Sequence, residues 1–149
     1  MGKKFIFLDD FSKEEIYEIF QWADKLAKEE CRVKPLEGKT VVLFFPEGSI
    51  RTRVTFEKGV KELGGNTILF PPSALDKKEK LQDVAGYLEN WANAVVIRHG
   101  DIRIVKEVAE HASIPVINAM TAENHPGEIL SDMYALSKRC GDFEQKKFL

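Results

Sequence analysis

The feature that most constrains the fold of this chain is a regular alternation of short apolar runs with helical patterns. Two runs, at 40–45 and at Ala94–Arg98, are rich in β-branched or aromatic side chains. Shorter runs of similar composition lie at 67–70 and 115–118. Continuous apolar runs of this length are typical of strands that are buried on both faces of a sheet. The sequence therefore predicts four strands.

Helical patterns fill the segments around these strands. Ser12 followed by Glu15 has the sequence of a capping box, and apolar residues recur behind it at helical spacing. Gly64 and Gly65 are suited to ending the second helix through a left-handed cap, and Pro126 suits the first turn of the last helix. The predicted helices lie at 12–30, 51–63, 80–91, 102–112 and Pro126–Cys140.

Four strand–helix units in succession predict an α/β fold, with a four-stranded parallel sheet and helices on both faces in three layers. The first helix is an N-terminal addition to this domain, which we place at 1–142. Residues 143–149 are expected to be a linker and the truncated start of a second domain. Ligands of such sheets bind beyond the carboxyl ends of the strands, which directs attention to four loops. These loops lie at 46–49, 71–77, 98–101 and 119–125.

Composition limits the classes of partner. Twenty-two basic and 24 acidic residues give a net charge of −2, so neither nucleic acid nor an anionic membrane is expected as a partner. No apolar run approaches the roughly 20 residues that span a bilayer, and the N-terminus lacks a signal-peptide core. With Cys31 and Cys140 interpreted as free thiols, we expect a cytoplasmic protein. No spacing of metal ligands and no glycine-rich nucleotide motif is present, so no metal and no cofactor are expected.

Three of the loops contain residues suited to binding an anion. Ser49 and Arg51 lie where a buried strand enters a helix, and a helix N-terminus with an arginine beside it suits a phosphate group. Taken alone, the same residues are equally an ordinary cap followed by solvated arginines. Arg98 ends an apolar strand at the same edge of the sheet. It could equally be a charged residue that is simply exposed to solvent, as strand-ending charges usually are. His125 is either a loop residue with a backbone partner or a donor to a ligand oxygen, and Glu128 could complete a cap.

These loops, in this order, resemble the aspartate/ornithine carbamoyltransferase family from about Phe7 to the tail. Each motif is weak alone, and their ordered set is specific. The motifs are Ser49-x-Arg51-Thr52-Arg53, Leu63-Gly64-Gly65, the segment 73–83, Val96-Ile97-Arg98-His99, Pro115-Val116-Ile117-Asn118-Ala119 and His125-Pro126-x-Glu128-x-Leu130-x-Asp132. The resemblance implies the half of a carbamoyltransferase that binds carbamoyl phosphate or phosphate. It also implies a second α/β domain for the amino acid, and homotrimers with active sites between subunits.

The resemblance also implies roles for residues. Arg51, Arg98 and His125 would be catalytic, and His125 would donate to the carbonyl oxygen. Carbamoyl phosphate would contact Ser49, Ile50, Arg51, Thr52, Arg53, Arg98, His125 and Glu128, while Ser73 and Lys77 would reach the site of a neighbouring subunit. Arg53 and Glu79 match a structural pair in the family pattern, so Arg53 is not expected to be catalytic.

Three departures from the family pattern leave alternatives open. Ile50 replaces a threonine, Glu128 replaces a glutamine that holds the carbamoyl NH2, and Ala74 stands where ornithine enzymes carry a glutamine. The acceptor could be ornithine or aspartate, in arginine or pyrimidine biosynthesis, or a different amine. A catalytically inactive anion-binding or regulatory homologue is the alternative function, and a generic flavodoxin-like domain is a weaker one. This chain alone is expected to be inactive.

Overall fold

A computed structural model describes residues 2–28 and 33–141, and its centre is a five-stranded sheet in which every strand is parallel. The spatial order is β1-β5-β4-β2-β3. The predicted α/β class is confirmed, but the sheet has five strands rather than four. The strands are β1 Lys4–Phe5, β2 Thr40–Phe44, β3 Asn66–Phe70, β4 Ala94–Arg98 and β5 Val116–Met120.

Within the described residues, five α-helices surround the sheet, and the start of α1 follows the capping signal of the sequence. Ser12 Oγ accepts from the Glu15 N–H while the Glu15 carboxylate accepts from the Ser12 N–H, which confirms the capping box. Gly64 has φ +89°, the left-handed conformation expected after the second helix. The helices are α1 Lys13–Ala27, α2 Ile50–Glu62, α3 Leu81–Leu88, α4 Ile102–His111 and α5 Pro126–Cys140, with short 3-10 turns at Leu8–Asp10 and Pro72–Ala74.

The sheet separates two apolar cores, because alternate side chains of each strand point to opposite faces. Val42 and Phe44 of β2 join a core with α3 and α4, whose members include the fully buried Val105. Val41 and Leu43 join the other core, which packs against α2. Helices on both faces are therefore confirmed, and they explain why β2 and β4 are apolar without interruption.

The strand order reverses beside β2. The chain moves from β2 to β3 on one side, then crosses back to place β4 on the other side of β2. The intervening helices α2 and α3 accordingly pack on opposite faces. A crevice forms beyond the carboxyl ends of two neighbouring strands at such a switch point, and open α/β sheets bind their ligands there. Here the switch point lies between β2 and β4.

The strand that the sequence did not predict, β1, closes the sheet beside β5. Lys4 pairs with Val116, and its ammonium group donates to the carbonyl oxygens of Ala112 (2.5 Å) and Ile114 (2.6 Å). Burial lowers the pKa of this amine, and the nearby charge of Glu89 opposes that shift. A two-residue strand has no detectable periodicity, so only this tertiary docking defines it.

Helix α1 packs on α5, as expected for an N-terminal addition. The rings of Phe20 and Tyr134 are tilted with centroids 5.4 Å apart, and the Tyr134 hydroxyl donates to Asp24 Oδ1 at 2.7 Å. Lys138 pairs with the other oxygen of Asp24. Within the described ranges, no helix has the length and apolar character required to cross a bilayer. The predicted linker and second-domain start at 143–149 lie outside the described residues, as does Cys31.

Asp101 gives α4 a start that depends on pH. Its carboxylate accepts from the Arg103 guanidinium and from the Arg103 N–H (2.8 Å), and these bonds lower its pKa from 3.8 to about 2. A lowered folded-state pKa stabilises the fold above the ordinary value of 3.8, and this contribution is lost as the pH falls toward 2. We therefore expect Asp101→Asn to lower the free energy of unfolding at pH 6 and to have little effect near pH 2.

Urea unfolding of the parent and of Asp101→Asn across this pH range checks the expectation. Glu110→Gln, the same kind of change on an exposed position of the same helix, is the matched control and should follow the parent. A difference between the parent and Asp101→Asn that stays constant from pH 6 to pH 2 would contradict the assignment.

Candidate functional site

The loop between β2 and α2 presents a helix N-terminus at the switch point. Ser49 occupies the N-cap position of α2, but its side chain makes no capping bond to the helix. The side chain is buried, with 2% of the residue exposed. The simple capping interpretation is therefore wrong for Ser49. Its hydroxyl leaves the N–H groups of the first turn uncapped, and these groups carry the partial positive charge of the helix.

Arg98 crosses the switch point to the same loop. It ends β4, and its Nη1 donates to Ser49 Oγ at 2.8 Å and approaches Thr52 Oγ1 at 3.3 Å. The predicted juxtaposition of Arg98 with the β2–α2 loop is confirmed. A partly buried guanidinium, two hydroxyl groups and a helix N-terminus converge here, and each of these groups favours a phosphate-like anion.

The other residues of the β2–α2 motif face outward. Ile50 is 73% exposed, and Arg51 is also exposed, so its guanidinium is accessible to a ligand at the helix start. Arg53 instead binds Glu57 one turn further along α2, with Nε 2.7 Å from Oε1. Glu79, the residue that the family pattern pairs with Arg53, is exposed, and that pairing stays a prediction.

His125 begins the last helix, and this position fixes its ring. Its Nδ1 accepts from the Glu128 N–H at 3.3 Å, so the proton of the neutral ring resides on Nε2. The Nε2 atom lies 3.8 Å from Glu128 Oε2, and the side chains are 22% and 67% exposed. His125 thus presents an N–H donor near the carboxyl edge, with a carboxylate beside it. His125 was predicted either to have a backbone partner or to donate to a ligand oxygen. The ring can do both, because Nδ1 accepts from the backbone while Nε2 still carries an N–H.

All four loops named from the sequence meet around one cleft. It has a volume of about 290 Å³ and includes residues from the ends of β2, β3, β4 and β5. Its lining comprises Pro46, Pro72, Arg98, His99, Gly100, Met120, Thr121 and Ala122. Ser49 and His125 are not among the lining residues. The cleft therefore lies beside the Ser49–Arg98 contact and is large enough for a small ligand.

A polar contact that the sequence did not predict holds the β3–α3 loop. His99 Nδ1 accepts from the Asp101 N–H (2.9 Å), and His99 Nε2 lies 2.9 Å from Asp76 Oδ1. Leu75 is buried beside Asp76 and anchors the same loop in the core. The two residues expected to reach a neighbouring subunit, Ser73 and Lys77, are exposed on this loop. The sequence feature that pointed to this contact was His99, which follows Arg98 at the end of an apolar strand.

The described part of the chain has no group of three or more histidine, cysteine, aspartate or glutamate side chains placed to hold a metal ion. At the Ser49–Arg98 contact, the converging groups are two hydroxyls, a guanidinium and the uncapped N–H groups of α2. Such an arrangement can bind an oxyanion and can stabilise negative charge that develops on a neighbouring oxygen.

Comparisons with known proteins agree with this geometry. Residues 3–138 match the family model described as aspartate/ornithine carbamoyltransferase, carbamoyl-P binding domain. An ornithine carbamoyltransferase of Aquifex aeolicus is 41% identical over 145 residues, which are 95% of this chain and 47% of that protein. The chain thus spans about half the length of the curated relatives that it matches.

Solved structures give the same result for the fold. The ornithine carbamoyltransferase from Pyrococcus furiosus superimposes with a TM-score of 0.87 at 31% identity, over 94% of this chain and 46% of that one. The catalytic subunit of M. jannaschii aspartate transcarbamoylase superimposes with a TM-score of 0.79 at 33% identity, over 93% of this chain and 48% of that one. Fold, motif order and family model all agree, and the chain belongs to the aspartate/ornithine carbamoyltransferase family, in which it corresponds to the carbamoyl-phosphate-binding domain.

Proposed function

We propose that this chain binds carbamoyl phosphate at the switch point between β2 and β4. The observation that carries the proposal is the contact of Arg98 with Ser49 and Thr52, because it brings a cation to an uncapped helix N-terminus. The phosphate would lie on the first turn of α2, where Arg51 is exposed and adds a second guanidinium. The adjacent cleft of about 290 Å³ has room for the carbamoyl group.

The reaction supported by these groups is transfer of the carbamoyl group to an amine. The amine attacks the carbamoyl carbon, the C–O bond to phosphate breaks, and phosphate leaves. Negative charge develops on the carbonyl oxygen during the attack. Arg98 and the Nε2–H of His125 are the donors that would stabilise this charge, and Arg51 would stabilise the leaving phosphate.

The acceptor is an amino acid, and we infer that residues outside this sequence select it. Relatives of both the ornithine and the aspartate type match the chain over about half of their length. In this proposal the domain spans 1–142, and 143–149 lead toward a second domain that binds the amino acid. A cytoplasmic location is part of the same proposal.

We infer further that the active protein is a homotrimer in which Ser73 and Lys77 complete a neighbouring site. An exposed apolar surface on α2 and the edge strand β3 supports assembly, because monomeric proteins seldom leave such a surface in water. The exposed fractions of its members lie between 36% and 73%. These residues are Ile50, Val54, Ile68, Leu69 and Phe70.

Calorimetric titration with carbamoyl phosphate, and with phosphate, tests the site. Replacing Arg51 with Ala removes a charge-assisted contact worth about 1.5–3 kcal/mol, so we expect a loss of affinity of about 10- to 150-fold. Arg139→Ala removes an exposed arginine from the last turn of α5 and is the matched control, with unchanged binding expected. Binding by Arg51→Ala that equals the parent would show that the phosphate lies elsewhere.

Glu128 makes a second, opposite expectation possible. Its carboxylate places negative charge 3.8 Å from the donor nitrogen of His125, close to where an anionic substrate would bind. Glu128→Gln removes that charge and restores the amide of the family pattern, so carbamoyl phosphate should bind more tightly. Glu110→Gln, the same change at an exposed position of α4, is the control for charge alone. Weaker binding by Glu128→Gln would indicate that Glu128 recognises a different ligand.

Glu128 also favours a second candidate function, an anion-binding or regulatory homologue without turnover. An assay of the 149-residue chain with carbamoyl phosphate and either ornithine or aspartate addresses turnover directly. We expect neither citrulline nor carbamoyl-aspartate above background, because the chain corresponds to about half of its relatives. Product formation by the chain alone would refute the need for a second domain and would also exclude the inactive homologue.

A further inference from the structure

A buried network of amide side chains lies directly behind the loop that carries His125. Asn118 Nδ2 donates to the Ile6 carbonyl (3.1 Å) and to Asn124 Oδ1 (2.7 Å). Asn124 Nδ2 donates to the same Ile6 carbonyl at 3.0 Å. Thr121 completes the group, because its hydroxyl donates to Asn124 Oδ1 (3.0 Å) and accepts from the Asn124 N–H (3.1 Å). One carbonyl next to β1 therefore accepts from two side chains that flank the β5–α5 loop.

This network holds the residue before His125, and burial at the start of α5 holds the residue after it. Asn124 immediately precedes the histidine, and Pro126, which follows it, is fully buried at the start of α5. The loop backbone is closed by the Thr121 N–H, which donates to the Asn124 carbonyl at 2.8 Å. With both neighbours held, the ring of His125 has little freedom beyond its own side-chain rotation, and the Glu128 N–H bond limits that.

Asn118 has features that a purely stabilising residue would not need. It is fully buried in a strand whose neighbours are apolar, and its Oδ1 has no hydrogen-bond partner within the described residues. Burying an amide oxygen without a partner costs free energy, so an apolar residue would suit the core better. The amide is nevertheless oriented so that its nitrogen holds the Ile6 carbonyl and Asn124.

We propose that Asn124 and Asn118, acting through the Ile6 carbonyl, are positioning residues for His125. They link the N-terminal segment to the site, although neither residue belongs to the anion-binding groups described above. The inference rests on the proposed function only for the role of His125 toward carbamoyl phosphate. The orientation of the ring itself can be tested without any ligand.

A double-mutant cycle with carbamoyl phosphate binding as the readout separates positioning from general stability. Asn124→Ala should weaken binding by about 3- to 10-fold, the size of one displaced hydrogen bond. In the background of His125→Ala the same change should alter affinity by less than about 2-fold, since the group it positions is absent. An equal loss in both backgrounds, or no loss in the parent background, would overturn the proposal.

Asn93→Ala provides the matched control. The Asn93 side chain also ties two distant segments together, because its Oδ1 accepts from the Thr40 N–H at 2.9 Å, but it does so where β2 begins. Urea unfolding gives the free energy of unfolding of Asn93→Ala and of Asn124→Ala, so that their losses of stability can be compared. Asn93→Ala should leave binding unchanged in both backgrounds, and a loss equal to that of Asn124→Ala would again overturn the proposal.

The ring of His125 supplies a readout that needs no ligand. Long-range 1H–15N NMR spectra distinguish the tautomer with the proton on Nε2 from the alternative and from the charged ring. The parent and Asn93→Ala should show the Nε2–H tautomer, and Asn124→Ala should show a mixture. If the parent fails to bind carbamoyl phosphate, the proposed function fails while these spectra still decide the positioning role. An unchanged His125 spectrum in Asn124→Ala would refute it.

Discussion

All five strands run in the same direction, and this constraint determines where the chain can place polar chemistry. The interior of the sheet is apolar on both faces except for Asn118, so the other buried polar side chains of the described residues, Ser49 and Thr121, lie in loops at its carboxyl edge. The reversal of strand order then selects one position along the carboxyl edge, between β2 and β4. Ser49 and Arg98, which are 49 residues apart in sequence, are neighbours because of that topology.

The arginines at this edge differ in whether a carboxylate is bound to them. Arg98 has neutral hydroxyl partners rather than a carboxylate, so its full charge remains available to an incoming anion. Arg53, by contrast, is partly neutralised by Glu57 and contributes more to α2 than to the site. Glu128 is the one carboxylate recorded beside the donor nitrogen of His125. In the proposed site, the guanidinium groups of Arg51 and Arg98 would attract an anion, and the carboxylate of Glu128 would oppose its binding.

Local patterns in the sequence were sufficient for the elements and for the edge that carries the site. The uninterrupted apolar runs gave β2 and β4, the capping box gave the start of α1, and Pro126 gave the start of α5. The features that the sequence analysis missed depend on tertiary contacts or on the choice among several partners. Strand β1 is only two residues long, and the ion pair of Arg53 with Glu57 on its own helix was not predicted. Asn118 was assigned to a strand, but its partners at Ile6 and Asn124 cannot be derived from spacing.

The pairing of β1 with β5 also sets the order in which the domain can be completed during synthesis. Lys4 and Phe5 are synthesised more than 100 residues before their partners Val116 and Ile117. Contacts of such large sequence separation form late and slow folding, because the loop between them must close first. The Ile6 carbonyl reaches Asn118 and Asn124 only after this closure. In a nascent chain the contact of Ser49 with Arg98 can therefore form early. The network that positions His125 can form only after β1 pairs with β5.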